Sequence, residues 1–155
     1  MARKEAVRVF LDSNVIISGI ISDKGAPRII LDLLSLRLPF LAGFTGEYNL
    51  IEIERNIHRK IPAALPVYRE YLPRMNLDVV PLPSAEQVKK AKWKMPAKDI
   101  PVALSAVNGK ADYLVTGDKK DFTTFRAKGI HRFKVASPAQ FVDDELPRII
   151  KDFAG

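Results

Sequence analysis

Apolar positions along the chain fall into short continuous runs separated by helical stripes. Val7, Val9 and Leu11, with Phe10 between them, form a nearly unbroken apolar run that stops at Asp12, the pattern of a strand buried on both faces. From Ala26 to Leu38 the residues Ile29, Ile30, Leu33, Leu34 and Leu36 recur at helical spacing, with Pro27 in the first turn and Pro39 as the stop. Leu41 to Phe44 predicts a second strand, and Gly46 to Lys60 a helix whose stripe is Leu50, Ile53 and Ile57. Asp78 to Leu82 reads as another strand, and Glu86 to Lys94 as a short basic helix around Trp93. Ile100 to Lys110 is helical and closed by Asn108-Gly109. Tyr113 to Val115 is a strand running into Thr116-Gly117-Asp118, and Phe133 to Ala136 is the last strand. Pro138 then opens a terminal helix carrying Phe141, Val142, Leu146, Ile149 and Ile150.

Strand and helix alternate throughout, which predicts an open α/β fold with a parallel sheet covered by helices on both faces. One stretch departs from the pattern. Residues 62–83 hold Pro62, Pro66, Pro73, Pro81 and Pro83, five of the eleven prolines, with a short helix suggested at Tyr68, Tyr71 and Leu72. It reads as an insertion within one domain spanning residues 1–155, a length that suits a single core.

Composition narrows the chemistry. Cysteine is absent, so disulfides, thiolate metal sites and cysteine nucleophiles drop out, and any metal must use oxygen or histidine. His58 and His131 stand alone, without a second histidine at metal spacing. The apolar stretches are too short to span a membrane, and no signal peptide is apparent, so the expected location is cytoplasmic, with no membrane partner. Lys plus Arg outnumber Asp plus Glu by 25 to 18, a net charge of +7, which favours a polyanion such as nucleic acid. Lys89, Lys90, Lys92 and Lys94 around Trp93, and Lys119, Lys120, Arg126 and Lys128 beyond Asp118, are the candidate phosphate contacts. For any single lysine among them, a solvated surface position is the simpler explanation.

In open α/β sheets, ligands bind outside the carboxyl ends of the strands, where strand order reverses. Asp12 ends the first strand and Asp118 follows the Tyr113 strand by a few residues. Either acid alone is equally explained by local structure: Asp12 or Asn14 capping a helix that starts near Val15, and Gly117-Asp118 forming a turn. Asp99 is a third acid, at the start of the Ile100 helix and on its sheet-facing side, where it also suits the helix dipole. A fourth acid would come from the helix between Gly46 and Lys60, where Glu47, Glu52 and Glu54 are available. Carboxylates gathered at one sheet end repel unless a cation joins them. Oxygen-only ligation suits Mg²⁺ or Mn²⁺, which also take phosphate oxygens. Such a site can position a phosphodiester for hydrolysis.

The ordered set of motifs resembles the PIN-domain nucleases. It consists of Leu11-Asp12-Ser13-Asn14-Val15 followed by Ser18, a helix with Glu52-Ile53, Lys98-Asp99 before an alanine-rich helix, and Ala111-Asp112-Tyr113-Leu114-Val115-Thr116-Gly117-Asp118-Lys119-Lys120-Asp121-Phe122. Ser137-Pro138-Ala139-Gln140-Phe141 looks like the family's last step from strand to helix. The resemblance implies a three-layer α/β/α fold with about five parallel strands, the first and fourth adjacent. It implies that Asp12, Glu52, Asp99 and Asp118 are catalytic and hold Mg²⁺ or Mn²⁺ with Asp121 as an auxiliary acid, and that Ser13, Asn14 and Thr116 support them. Lys92, Lys94, Lys119 and Lys120 are the expected RNA contacts. A plain helical wheel places Glu54, rather than Glu52, nearer the apolar stripe, so Glu54 is the alternate acid.

The function expected from the resemblance is a metal-dependent endoribonuclease, and small members of the family are often toxins of toxin–antitoxin pairs. Such a toxin would have an antitoxin protein as partner and form a homodimer. The rival is a PIN-like module that binds RNA or protein and cuts nothing. An aspartyl-phosphate hydrolase on a similar sheet would want an acid two residues after Asp12, where this chain has Asn14.

Overall fold

The computed structural model describes residues 5–118, 120, 122 and 133–155. Lys119, Asp121, Arg126, Lys128 and His131 lie outside the described residues. The chain runs β1 (Val7–Leu11), α1 (Ser13–Ile21), α2 (Ala26–Ser35), β2 (Leu41–Gly46), α3 (Glu47–Lys60), α4 (Leu65–Tyr71), β3 (Asp78–Val80), α5 (Ala85–Lys90), α6 (Ile100–Asn108), β4 (Tyr113–Val115) and β5 (Lys134–Ala136). It ends in α7 (Pro138–Gln140), which passes through a π-helical turn (Phe141–Glu145) into α8 (Leu146–Ala154).

All five strands are parallel, in the order β3-β2-β1-β4-β5. β1 lies in the middle, with Val9 opposite Gly43 on one side and Tyr113 on the other. This explains the unbroken apolar run: Val9, Phe10 and Leu11 are fully buried because neighbours cover both edges and helices cover both faces. Val9 and Leu11 face one apolar cluster, with Ile16, Leu31, Ile53 and Ile149. Phe10 faces the other, with Phe44, Val102, Ala103 and Leu114. The fold is therefore the expected three-layer α/β/α arrangement. Strand order reverses between β1 and β4, which brings Asp12 and Asp118 to one crevice.

Several predicted boundaries move, each for a local reason. The helix opened by Ala26 ends at Ser35, not Leu38, because Arg37 takes a left-handed φ of 53°. The strand expected to end at Phe44 continues to Gly46, paired with β3 through Val80. The strand expected to reach Leu82 stops at Val80, since Pro81 has no N–H for the ladder. The basic helix ends at Lys90, where Ala91 turns extended, and Trp93 packs instead against the Phe10 cluster. The helix expected near Val15 begins at Ser13, one residue after Asp12. Among the described residues, no helix is long and apolar enough to cross a membrane.

The proline-rich stretch is not a loose appendage. Tyr68 and Met75 are buried in the same cluster as Val9 and Leu11, and the Arg28 guanidinium lies over the Tyr71 ring at 5.0 Å. The Tyr68 hydroxyl is buried with no hydrogen-bond partner among the described residues. Burial, and then the Glu54 charge, push that phenol up to about 12. An unsatisfied buried hydroxyl costs about 1–3 kcal/mol. Tyr68→Phe is therefore expected to stabilise the protein by about 1 kcal/mol, read as a higher midpoint in urea unfolding; a lower midpoint would show that the hydroxyl has a partner.

Candidate active site

Asp12 is the centre of the crevice. β1 carries it out of the sheet, where its N–H donates to the Val115 carbonyl at 3.0 Å, tying the ends of β1 and β4 together. Its backbone is extended, and its Oδ1 accepts the Ser13 N–H at 2.8 Å, so it caps α1 while facing the crevice. The capping explanation offered by the sequence thus holds for this residue, and it leaves the carboxyl at the crevice. Its side chain is held from two further directions. The Thr116 hydroxyl donates to Oδ2 at 2.7 Å. The Asn49 amide donates to Oδ1 at 3.2 Å and to Ser13 Oγ at 2.9 Å.

Asp118 is exposed and tethered to the same network. Its N–H donates to Thr116 Oγ1 at 3.0 Å, and its Oδ2 accepts the Asn14 amide at 3.2 Å. Asn14 Oδ1 in turn accepts the Gly117 N–H at 3.1 Å. Asn14 and Thr116 thus brace the two acids against each other across the switch point.

The three glutamates of α3 part company. Glu47 accepts the Leu82 N–H at 3.1 Å, fixing the chain after β3. Glu54 accepts from Arg69 Nε at 3.0 Å and pairs with its Nη2 at 2.9 Å, facing α4. Glu52 bears on the crevice: its charge acts on both Asp12 and Tyr48. Asp99 ends a 3₁₀ turn (Ala97–Asp99) at the start of α6, and its charge acts on the same two groups. The Tyr48 hydroxyl donates to the Lys98 carbonyl at 3.4 Å, linking α3 to the turn that carries Asp99.

The consequence appears in the protonation of Asp12. Only 7% exposed, its carboxyl is pushed from 3.8 up to about 6, first by burial and further by Glu52 and Asp99, against the opposing hydrogen bonds from Thr116 and Ser13. Three acids thus share one field, and their donors are oxygen only, the ligand chemistry of a hard divalent cation. A cation there would reverse the repulsion that raises Asp12. Among the described residues, no three of His, Asp and Glu form a group able to hold an ion on their own, and Asp121 lies outside those residues.

Lys92, Lys94 and Lys120 are exposed. Asn49 is the site residue missed in the sequence. It is fully buried at the head of a stripe with Ile53 and Ile57, at spacings of four. A polar residue in register with a buried apolar stripe was the available signal.

A family model described as PIN domain matches residues 8–120. No curated protein gives a significant match. Among solved structures, the chain is similar to VapBC2 from Rickettsia felis bound to a DNA fragment from their promoter, with 15% identity and a TM-score of 0.56, over 84% of this chain and 98% of that one. It is also similar to FitAB bound to the IR36 DNA fragment, with 16% identity and a TM-score of 0.60, over 84% of this chain and 94% of that one. At these identities the likeness is one of fold.

Proposed function

Since the chain belongs to the PIN domain family, we propose that it is a ribonuclease that hydrolyses RNA phosphodiester bonds with the help of Mg²⁺ or Mn²⁺. The observation that carries this reading is the buried Asp12 carboxyl at the switch point, braced by Thr116 and Asn49 and lying in the combined field of Glu52 and Asp99. Asp12, Glu52, Asp99 and Asp118 would have to draw together to hold the ion, since as placed no three of them form a group that could do so, and Asp121 is the proposed auxiliary acid. When bound, it supplies Lewis acidity toward the phosphate and lowers the pKa of water.

The chain's own residues do the rest. Thr116 donates to Asp12 and accepts from Asp118, so it sets the two acids at a fixed separation. Asn14 restrains Asp118, which would otherwise turn freely in solvent. Lys92, Lys94, Lys119 and Lys120 hold flanking phosphates by charge, which makes RNA affinity fall as salt rises.

A toxin role belongs to the same proposal, with an antitoxin as partner and a homodimer as the working form. It is supported by the fold shared with VapBC2 and FitAB, both seen as complexes on DNA. The test is cleavage of a labelled single-stranded RNA pool by the wild type and by Asp118→Asn, in EDTA, Mg²⁺ or Mn²⁺. Metal-dependent cutting, lost in the variant, is the expected result. Salt-sensitive RNA binding with no cutting in any metal would identify a binding module instead.

A further inference from the structure

We propose that Asn49 makes Asp12 a one-oxygen ligand and so favours a small octahedral cation, Mg²⁺ or Mn²⁺, over Ca²⁺. This inference rests on the metal-dependent reading of the site and names the residue that sets which metal it takes.

An ionised carboxylate offers about four lone-pair sites, two on each oxygen. On Asp12, Oδ1 accepts from the Ser13 N–H at 2.8 Å and from Asn49 Nδ2 at 3.2 Å, which occupies both of its sites. Oδ2 accepts from the Thr116 hydroxyl at 2.7 Å and keeps one site open. The Ser13 bond belongs to the helix cap and the Thr116 bond lies on the other oxygen. Asn49 alone therefore decides whether Oδ1 is available.

The Asn49 amide is held in that orientation. Its second proton goes to Ser13 Oγ at 2.9 Å, so both N–H groups point to the β1 end of the crevice. Reversing the amide would set its carbonyl against the Asp12 carboxylate, acceptor facing acceptor. The close start of α3 against α6 depends on glycine at 46, where a Cβ would lie 2.8 Å from Ser105 Oγ and 3.0 Å from Asn49 Oδ1. That Oδ1 is itself buried with no hydrogen-bond partner among the described residues. Such an acceptor costs about 1–3 kcal/mol, a cost that leucine, in line with Ile53 and Ile57, would avoid. Packing alone thus favours an apolar residue here, and the asparagine is explained by what its amide does to Asp12.

Cation chemistry supplies the selectivity. Ca²⁺ accepts about six to eight oxygens and readily takes carboxylates two oxygens at a time, whereas Mg²⁺ requires near-octahedral geometry with single-oxygen contacts. A carboxylate with one oxygen fully occupied suits the second requirement and handicaps the first.

The test measures metal binding, not cleavage. Metal-free wild type, Asn49→Leu and Asn49→Ala are titrated with Mn²⁺ followed by its EPR signal, and Mg²⁺ and Ca²⁺ are then scored by displacement. Leucine keeps the branched shape at somewhat greater volume and alanine relieves any crowding that results, so the two variants together provide a folded protein lacking the amide. The ratio of the Ca²⁺ to the Mg²⁺ dissociation constant is expected to fall about tenfold or more in the variants, since partners of a metal ligand typically change affinity by about 10–100-fold. Folded variants that keep the wild-type ratio would overturn the role of Asn49 while leaving the metal site standing. A wild type that binds none of the three ions would overturn both this inference and the metal-dependent reading beneath it.

Discussion

Without divalent metal at about pH 8, the Asp12→Asn protein is expected to melt several degrees above the wild type, although it no longer cleaves RNA. The wild-type carboxyl is pushed from 3.8 up to about 6 by burial and by its acidic neighbours. A group whose folded pKa is raised contributes stability that is fully present below its unfolded pKa and lost as pH rises through the folded one. For Asp12 the loss runs from about pH 4 to above pH 6 and amounts to about 3 kcal/mol. Asparagine stays neutral and keeps an acceptor for the Ser13 N–H and the Asn49 amide. Its amide nitrogen then faces Thr116 Oγ1, which must turn to accept instead of donate, at a cost of about 1 kcal/mol. The net gain of about 2 kcal/mol corresponds to about 4–8 °C for a domain of this size. Calorimetry across that pH range should show the variant's advantage shrinking and then reversing as the pH falls toward 4 and below, where the wild type regains about 3 kcal/mol and the variant still bears the Thr116 cost. Adding Mg²⁺ should raise the wild type alone, because only it retains the ligand. Cleavage should drop by more than about a hundredfold, since losing a ligand exceeds the loss of a ligand's partner. A metal-free wild type that is the more stable protein at about pH 8 would refute the account of Asp12 as an uncompensated buried acid.

The parts of this site that were legible in the sequence are those where a backbone element ends. A buried strand must stop where a charge appears, so Asp12 marks the end of β1, and Asp118 marks the end of β4 one turn later. Asp99 was legible for the same reason, at a helix start after Pro96. What could not be read is what depends on packing between elements. Asn49 lies among apolar neighbours, and nothing local shows that its amide meets Asp12, which is distant along the chain. Trp93 looked like the centre of a basic helix because its lysines suggest one, yet the ring is drawn to the Phe10 cluster and the helix ends before it. Residues 62–83 read as an insertion because prolines break local pattern, and how its side chains pack could not be read: Tyr68 and Met75 fill the main core, which only the folded chain reveals.

Glu52→Gln is expected to lower cleavage by more than about a hundredfold, while Glu54→Gln leaves it near the wild-type level. The difference traces to which face of α3 is buried. If Leu50, Ile53 and Ile57 formed the buried stripe, Glu54 would lie beside it and Glu52 would point well away. The buried residues are instead Asn49, Ile53 and Ile57. At 3.6 residues per turn, that stripe leaves the two glutamates roughly 100° to either side of its centre, on opposite flanks of the helix. One flank faces α4, where Glu54 pairs with Arg69. The other faces the crevice, where Glu52 acts on Asp12 and Tyr48. The Glu54 pair is exposed, with side chains 45% and 64% accessible, so its loss should cost at most about 1 kcal/mol of stability. Glu52→Gln carries a second signature independent of cleavage. Removing its negative charge withdraws one of the forces that raise the Asp12 carboxyl, so the loss of metal-free stability, which still begins near pH 4, should end at lower pH and be smaller. Equal effects of the two variants on cleavage and on this pH dependence would show that the flanks of α3 are wrongly assigned.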